Sequence, residues 1–284
     1  MDIGDLIAFS LCSNRTKNLV KSSNRKIKPI YAHVFLNSIR FQITPDQQDN
    51  EYMFFKFFDF CTEFDRRTRK EVWTKQGFTK NDWVAHFMCI FKEPVIGNLE
   101  ICNASLSDLD TVTKFIPKCN RLGIGFLCSN DVAQKAILKF SHFAEEVKFQ
   151  KNIFDNANDI SNFFSLNLKS VVFFDYDNPF DLQLSDLFVL NITDIFARMV
   201  NITDKELNRF VKLWMKGNHS FYRPKRIKLV LLREAGISIN KEEVMKGIHY
   251  EFAEEDDFQY RLRRGDGNEL SIRIFSCFVE FKFE

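Results

Sequence analysis

The feature that most constrains this chain is a spacing. Short apolar alternations recur at Leu99/Ile101, Ile124/Phe126, Val147/Phe149, Val172/Phe174, Ile195/Ala197 and Ile227/Leu229, with first positions 25, 23, 25, 23 and 32 residues apart. A period in the twenties is the mark of repeated strand-plus-helix units. One such unit cannot bury its own apolar face, so neighbours must stack.

The residues between the alternations supply the helices. Ser105, Ser129, Asn158-Asp159 and Thr203-Asp204 are helix-opening residues, each followed by apolar positions at helical spacing. Strands joined through helices run parallel, with right-handed crossovers. The expected fold is therefore α/β: a leucine-rich-repeat-like strand–helix solenoid with a parallel sheet. Its consensus is poorly kept, with Leu99-Glu100-Ile101-Cys102-Asn103 only a fragment of it.

The ends differ from the middle. Residues 3–22 read as two short helices, and 30–60 as strands with Ile39, Phe41 and Ile43 on one face and a polar turn at Asp46–Asn50. Thr79 or Asn81 opens a helix carrying Trp83, Phe87 and Ile90. Near the C-terminus, Gly265-Asp266-Gly267-Asn268 separates two alternating segments and predicts a β-hairpin that caps the repeats. The expected divisions are residues 1–24, 25–95 and 96–284.

Composition narrows the function. The 33 Phe residues, against 6 Tyr and 3 Trp, suit core positions. A net charge of +2 does not imply bulk affinity for nucleic acid. The 7 Cys form no C-x-x-C pair and read as reduced thiols rather than a disulfide frame or zinc site. No signal segment or membrane span is expected, which predicts a cytoplasmic or nuclear protein.

The search for chemistry finds little. The five His show no metal-ligand spacing, and the G-x-G of Leu122–Phe126 lacks its third Gly. The acidic run of Glu251, Glu254, Glu255, Asp256 and Asp257 lacks the ligand order of a calcium loop. No cofactor, metal or catalytic residue is expected. A parallel sheet covered by helices on one side leaves the other open, and Glu100, Lys148 and Lys228 are expected to line that partner face.

Two segments resemble a known family. Asp5 to Val20 resembles the second half of an F-box. Leu207-Asn208-Arg209-Phe210-Val211-Lys212-Leu213-Trp214-Met215-Lys216-Gly217 resembles the D-L-N-x-F-L-K-x-W-x-x-G of the F-box-associated type 2 domain of nematode F-box proteins. Gly247-Ile248-His249-Tyr250 and Arg263-Arg264-Gly265-Asp266-Gly267 resemble its G-I-x-Y and R-R-x-D-G blocks, placing that domain at about 185–284.

The resemblance implies a substrate-recognition subunit of a cullin–RING ubiquitin ligase that binds a Skp-type adaptor and an unknown protein substrate. Leu6, Leu11 and Val20 would belong to the adaptor-binding helices. Leu207, Asn208, Phe210, Trp214, Gly217, Gly247, Asp266 and Gly267 would be structural. The resemblance starts at the second F-box helix, so a truncated F-box is expected. The alternative is an interaction module of the same fold that does not join a ligase.

Overall fold

The structure is a computed structural model; the residues it describes are 3–44, 52–66, 69–91, 94–116, 118–154, 156–175, 177–178, 182–217, 222–234, 236–253 and 256–284. The Asp46–Asn50 turn, His219, Glu254 and Glu255 lie outside them. The chain is mixed α/β and divides into two compact units, Met1–Glu145 and Glu146–Glu284.

The first unit opens with α1 (Ile3–Leu11) and α2 (Asn14–Ser22). Ser13 and Thr16 form a reciprocal capping box that starts α2. An antiparallel meander follows: β1 (Ile30–Phe35), β2 (Ser38–Ile43), β3 (Met53–Phe57), β4 (Cys61–Arg66) and β5 (Arg69–Thr74). Then come α3 (Lys80–Ile90), β6 (Ile96–Ile101), α4 (Leu106–Phe115), β7 (Cys119–Ile124) and α5 (Asn130–Phe140). The strands are ordered β7-β6-β1-β2-β3-β4-β5, with β1, β6 and β7 parallel.

Phe explains this unit's core. Phe87 of α3 sits 5.2, 5.4 and 5.9 Å from the rings of Phe41, Phe55 and Phe57 on β2 and β3. Thr79, not Asn81, caps α3, through a box with Asp82. Lys80 reaches the Asp108 carboxylate at 2.7 Å, tying α3 to α4 in a buried pair.

The second unit runs β8 (Glu146–Phe149), α6 (Ala157–Phe164), β9 (Ser170–Phe173), a 3-10 turn at Asp186–Phe188, β10 (Asp194–Val200) and α7 (Asp204–Met215). It continues with β11 (Arg226–Leu231), α8 (Lys241–Met245), β12 (Glu251–Ala253), β13 (Asp256–Arg263), β14 (Glu269–Ile274) and β15 (Phe278–Phe283). Strands β8, β9, β10 and β11 are parallel neighbours; β15, β14, β13 and β12 extend the sheet antiparallel from β11.

The register corrects the sequence reading. Val147, Val171 and Ile195 are aligned across β8–β10, 24 residues apart at each step, and Ile195 aligns with Ile227. In the first unit Leu99 aligns with Leu122. Val171 and Phe173 are therefore the core pair of β9, and Val172 and Phe174 face the other way. Likewise Leu122 and Ile124 are buried while Phe126 is exposed. The causes differ: in β9, Val-Val-Phe-Phe offers apolar residues in either phase, and a slip of one residue exchanges the faces, whereas Phe126 is in phase with Leu122 and Ile124 but lies past the end of β7 at Ile124.

Two local expectations also change. Asn156, rather than Asn158, caps α6 by accepting from the Asp159 N–H. The β13–β14 turn is not a two-residue turn. Gly267 N donates to the Arg264 carbonyl, Arg264 N donates to the Asn268 carbonyl, and Gly267 alone has positive φ (93°). That is a type I turn followed by a left-handed residue, the three-residue hairpin.

Candidate interaction face

In the second unit the helices take one side of the sheet. Phe163 of α6 packs 5.2 Å from Phe149, and Phe210 and Trp214 of α7 pack 5.1 and 5.9 Å from Phe281 and Phe283. Side chains alternate across a strand, so the residues between these form the opposite face. One row across it reads Lys148, Val172, Phe196, Lys228, Glu280, Arg273.

Rings and cations interlock there. Lys148 Nζ lies 5.0 Å from the Phe174 ring centroid, and Lys228 Nζ lies 5.8 and 4.2 Å from those of Phe196 and Phe278. The Arg198 guanidinium lies 5.1 Å from Phe174 and 5.5 Å from Phe196. Phe174 and Phe196 meet edge to face at 5.5 Å. A cation over a ring face is attracted by the ring quadrupole, by about 0.5–1 kcal/mol at exposed sites.

A bulge contributes to this arrangement. From Ala197 to Val200, β10 spends one more residue than its partner does from Leu229 to Leu231. Met199, inside this interval, has φ 56°, a left-handed conformation unusual for a residue with a Cβ. Such bulges re-aim neighbouring side chains. Arg198 is the neighbour, and it is the cation shared by two rings.

The Glu280 carboxylate, cross-strand from Lys228, is engaged by arginines. Glu280 is 5% exposed and accepts from Arg226 Nε at 2.6 Å, with Arg273 at 4.0 Å. Asp194, in the row below, has its pKa raised by burial; Arg226 opposes the shift, while Glu280 and Glu146 add to it.

The residues expected from sequence fall in three places. Lys148 and Lys228 lie on this face. Glu100 belongs to the first unit, where it lies between His33 and Gly123 and is only 8% exposed. A Cβ on residue 123 would overlap its carboxylate as it now lies, so Gly123 leaves room for this seat. Glu100 thus corrects the expected row: it fills space instead of offering a surface charge. Phe174, Phe196, Arg198 and Phe278 were missed as face residues. The phase of Ile195 and Ala197 could have found Phe196 and Arg198, which alternate with them.

Leu6 and Leu11 are half-buried on α1, and Val20 on α2 is buried. The two helices pack on each other and on α3. Ser10 Oγ donates to the Ile7 carbonyl at 2.6 Å and lies 2.7 Å from His86 Nε2 of α3. With its proton already committed, Ser10 accepts from Nε2–H, which in a neutral imidazole places the proton on Nε2. Burial, then Lys17 and Lys75, push the His86 pKa down to about 4.

The remaining residues of the resemblance form one structural knot. Leu207, Phe210 and Trp214 are the buried stripe of α7. Asn208 donates its amide to the Val244 and Lys246 carbonyls at 2.8 and 2.9 Å, which ties α7 to the end of α8. Gly217 and Gly247 have φ 69° and 68° and end these helices. Arg264 stacks on Trp214 and grips Asp266, whose pKa is lowered chiefly by that hydrogen bond. A concavity of about 480 Å³ opens beside the knot, lined in part by Trp214, Tyr222, Arg223 and Phe283. Its Tyr222 hydroxyl donates to the Leu187 carbonyl at 2.7 Å.

Among the described residues no group of three or more His, Cys, Asp or Glu is placed to hold a metal ion, and no helix is long and apolar enough to cross a membrane. A family profile described as F-box associated matches residues 159–220. The match spans β9, β10 and α7 and includes Leu207 to Gly217; the Gly247 and Arg263–Gly267 blocks lie beyond it. No curated protein and no solved structure matched the chain.

Proposed function

We propose that this chain is a substrate-recognition subunit of an F-box/cullin-type ubiquitin ligase. It acts by protein–protein recruitment and performs no chemistry of its own. The observation that carries this reading is the F-box-associated match at 159–220, which includes Phe174, just past β9, and Phe196 and Arg198 of β10 on the open face. The strand–helix repeats within the units are read as leucine-rich-repeat-like, with the open face as the recruiting surface. Recruitment raises the local concentration of a target lysine near a ubiquitin-charged enzyme. The protein would work in the cytoplasm or nucleus.

In this reading α1 and α2 are F-box helices, and Leu6 and Leu11 face a Skp-type adaptor. Val20, being buried, holds the helices together. One observation favours a second reading, an interaction module outside any ligase. The buried Ser10–His86 contact and the buried Ile7 and Val20 bind α1 and α2 into their own unit's core.

Calorimetry of the purified chain with a Skp-type adaptor separates the two. Micromolar or tighter binding, lost in the Leu6→Asp/Leu11→Asp double variant, supports the ligase reading. Absence of binding by a folded chain overturns it and leaves the interaction module.

A further inference from the structure

Lys148 and Lys228 form no ion pair among the described residues; each ammonium is seated on a phenylalanine ring. This is unusual economy for a face where other cations are neutralised. Arg226 is committed to Glu280 and Asp194, and Arg273 to Glu280 and Gln259. A ring holds a lysine in place without cancelling its charge. The bulge at Met199 adds Arg198 to the same stripe, between the two lysines in strand order. The result is a line of ordered positive charge on β8, β10 and β11, with half-buried rings beneath it.

We infer that this stripe docks an acidic, extended protein segment, whose carboxylates meet Lys148 and Lys228. The inference rests on the recruitment reading and deepens it by naming the partner's chemistry. Two observations support a peptide over single-stranded nucleic acid. A nucleic-acid platform leaves aromatic faces free for base stacking. Here Phe174 and Phe196 each have two cations over the ring, and Phe278 has one. In addition, Lys148 and Lys228 stand in one row three strands apart, and at just under 5 Å per strand that is about 14 Å, the reach of about four residues of an extended chain, so carboxylates on alternate residues can meet both.

The test uses the full chain and three labelled probes: a dodecapeptide alternating Glu and Ser, its Gln–Ser counterpart and a thymidine dodecanucleotide. Fluorescence anisotropy at low salt is expected to show the Glu–Ser peptide binding, and the Gln–Ser peptide binding at least tenfold more weakly. Lys148→Gln with Lys228→Gln should weaken the Glu–Ser probe at least tenfold while the circular-dichroism melt stays cooperative. Should that pair fail to fold, each single Lys→Met variant serves, keeping the apolar stem over the ring. Equal binding of both peptides, tighter binding of the nucleotide, or indifference to the lysine changes would overturn the proposal. Adaptor calorimetry on the same sample reads the ligase assignment independently: adaptor capture without Glu–Ser binding sinks only this inference, and Glu–Ser binding without adaptor capture sinks only the ligase.

Discussion

The Arg264 guanidinium lies 4.9 Å from the Trp214 ring centroid and donates to the Trp214 carbonyl oxygen at 3.3 Å. One side chain thereby covers a core indole and satisfies a carbonyl in the last turn of α7, from a hairpin 50 residues away in sequence. Trp214→Ala should destabilise the fold by about 3–5 kcal/mol, because a large cavity opens under α7. Lys212→Ala, on the exposed side of the same helix, should stay within about 0.5 kcal/mol. Urea denaturation of the two variants checks this; equal shifts in midpoint would disprove the inward stripe.

Asn208 makes a separate contribution. Its amide satisfies two carbonyls of the α8 terminus, so Asn208→Ala should cost about 1–3 kcal/mol. Asn208→Asp should cost at least as much, since a carboxylate cannot donate to either carbonyl. Hydrogen exchange should show faster exchange in α8. An unchanged α8 would mean the helix is held by other contacts.

The first unit should respond to mild acid. The folded-state pKa of His86 is pushed down to about 4 by burial, and that of His33 to about 4 by burial and Arg40. An unfolded histidine titrates near 6.5. Between these values the unfolded chain binds more protons, so stability is full above about pH 6.5 and falls as pH drops towards 4. His86→Asn should flatten this slope. A slope identical to that of the parent chain would remove His86 from the account.

The two glycines of β7 and its end are expected to differ. A Cβ at Gly123 meets the end of the flexible Glu100 side chain, but one at Gly125 lies 3.0 Å from Cys102 Cα and 3.1 Å from the Ile101 carbonyl oxygen. Gly125→Ala should therefore cost about 1–3 kcal/mol, the usual scale of overpacking. Gly123→Ala should cost less, and Glu100→Ala should relieve it in a double-mutant cycle. Thermal melts of the three variants and the pair decide the order.

Much of this was legible in the sequence, for identifiable reasons. Helix starts at Thr79, Ser105, Ser129 and Thr203 were found because capping chemistry is local. The apolar stripe of α7 was found because its period is unambiguous. Strand phase in β9 was lost where four consecutive apolar residues carry no period. The β4–β5 hairpin was missed because β5, Arg69-Lys70-Glu71-Val72-Trp73-Thr74, is mostly polar and only its sheet partner makes it a strand. The ring-and-cation stripe depends on which strands become neighbours, and that is set by folding.

The outermost strands carry a last implication. β5 ends the first unit's strand order with Arg69 and Lys70 on it, the Lys70 side chain 81% exposed, and β12 ends the second unit's with three residues. Charged or very short edge strands resist the addition of another strand. Backbone pairing, which is nearly blind to sequence, is thus disfavoured at both places. Discrimination between partners then falls to individual side chains, and a single codon change on an open strand is enough to redirect it while the scaffold stays the same.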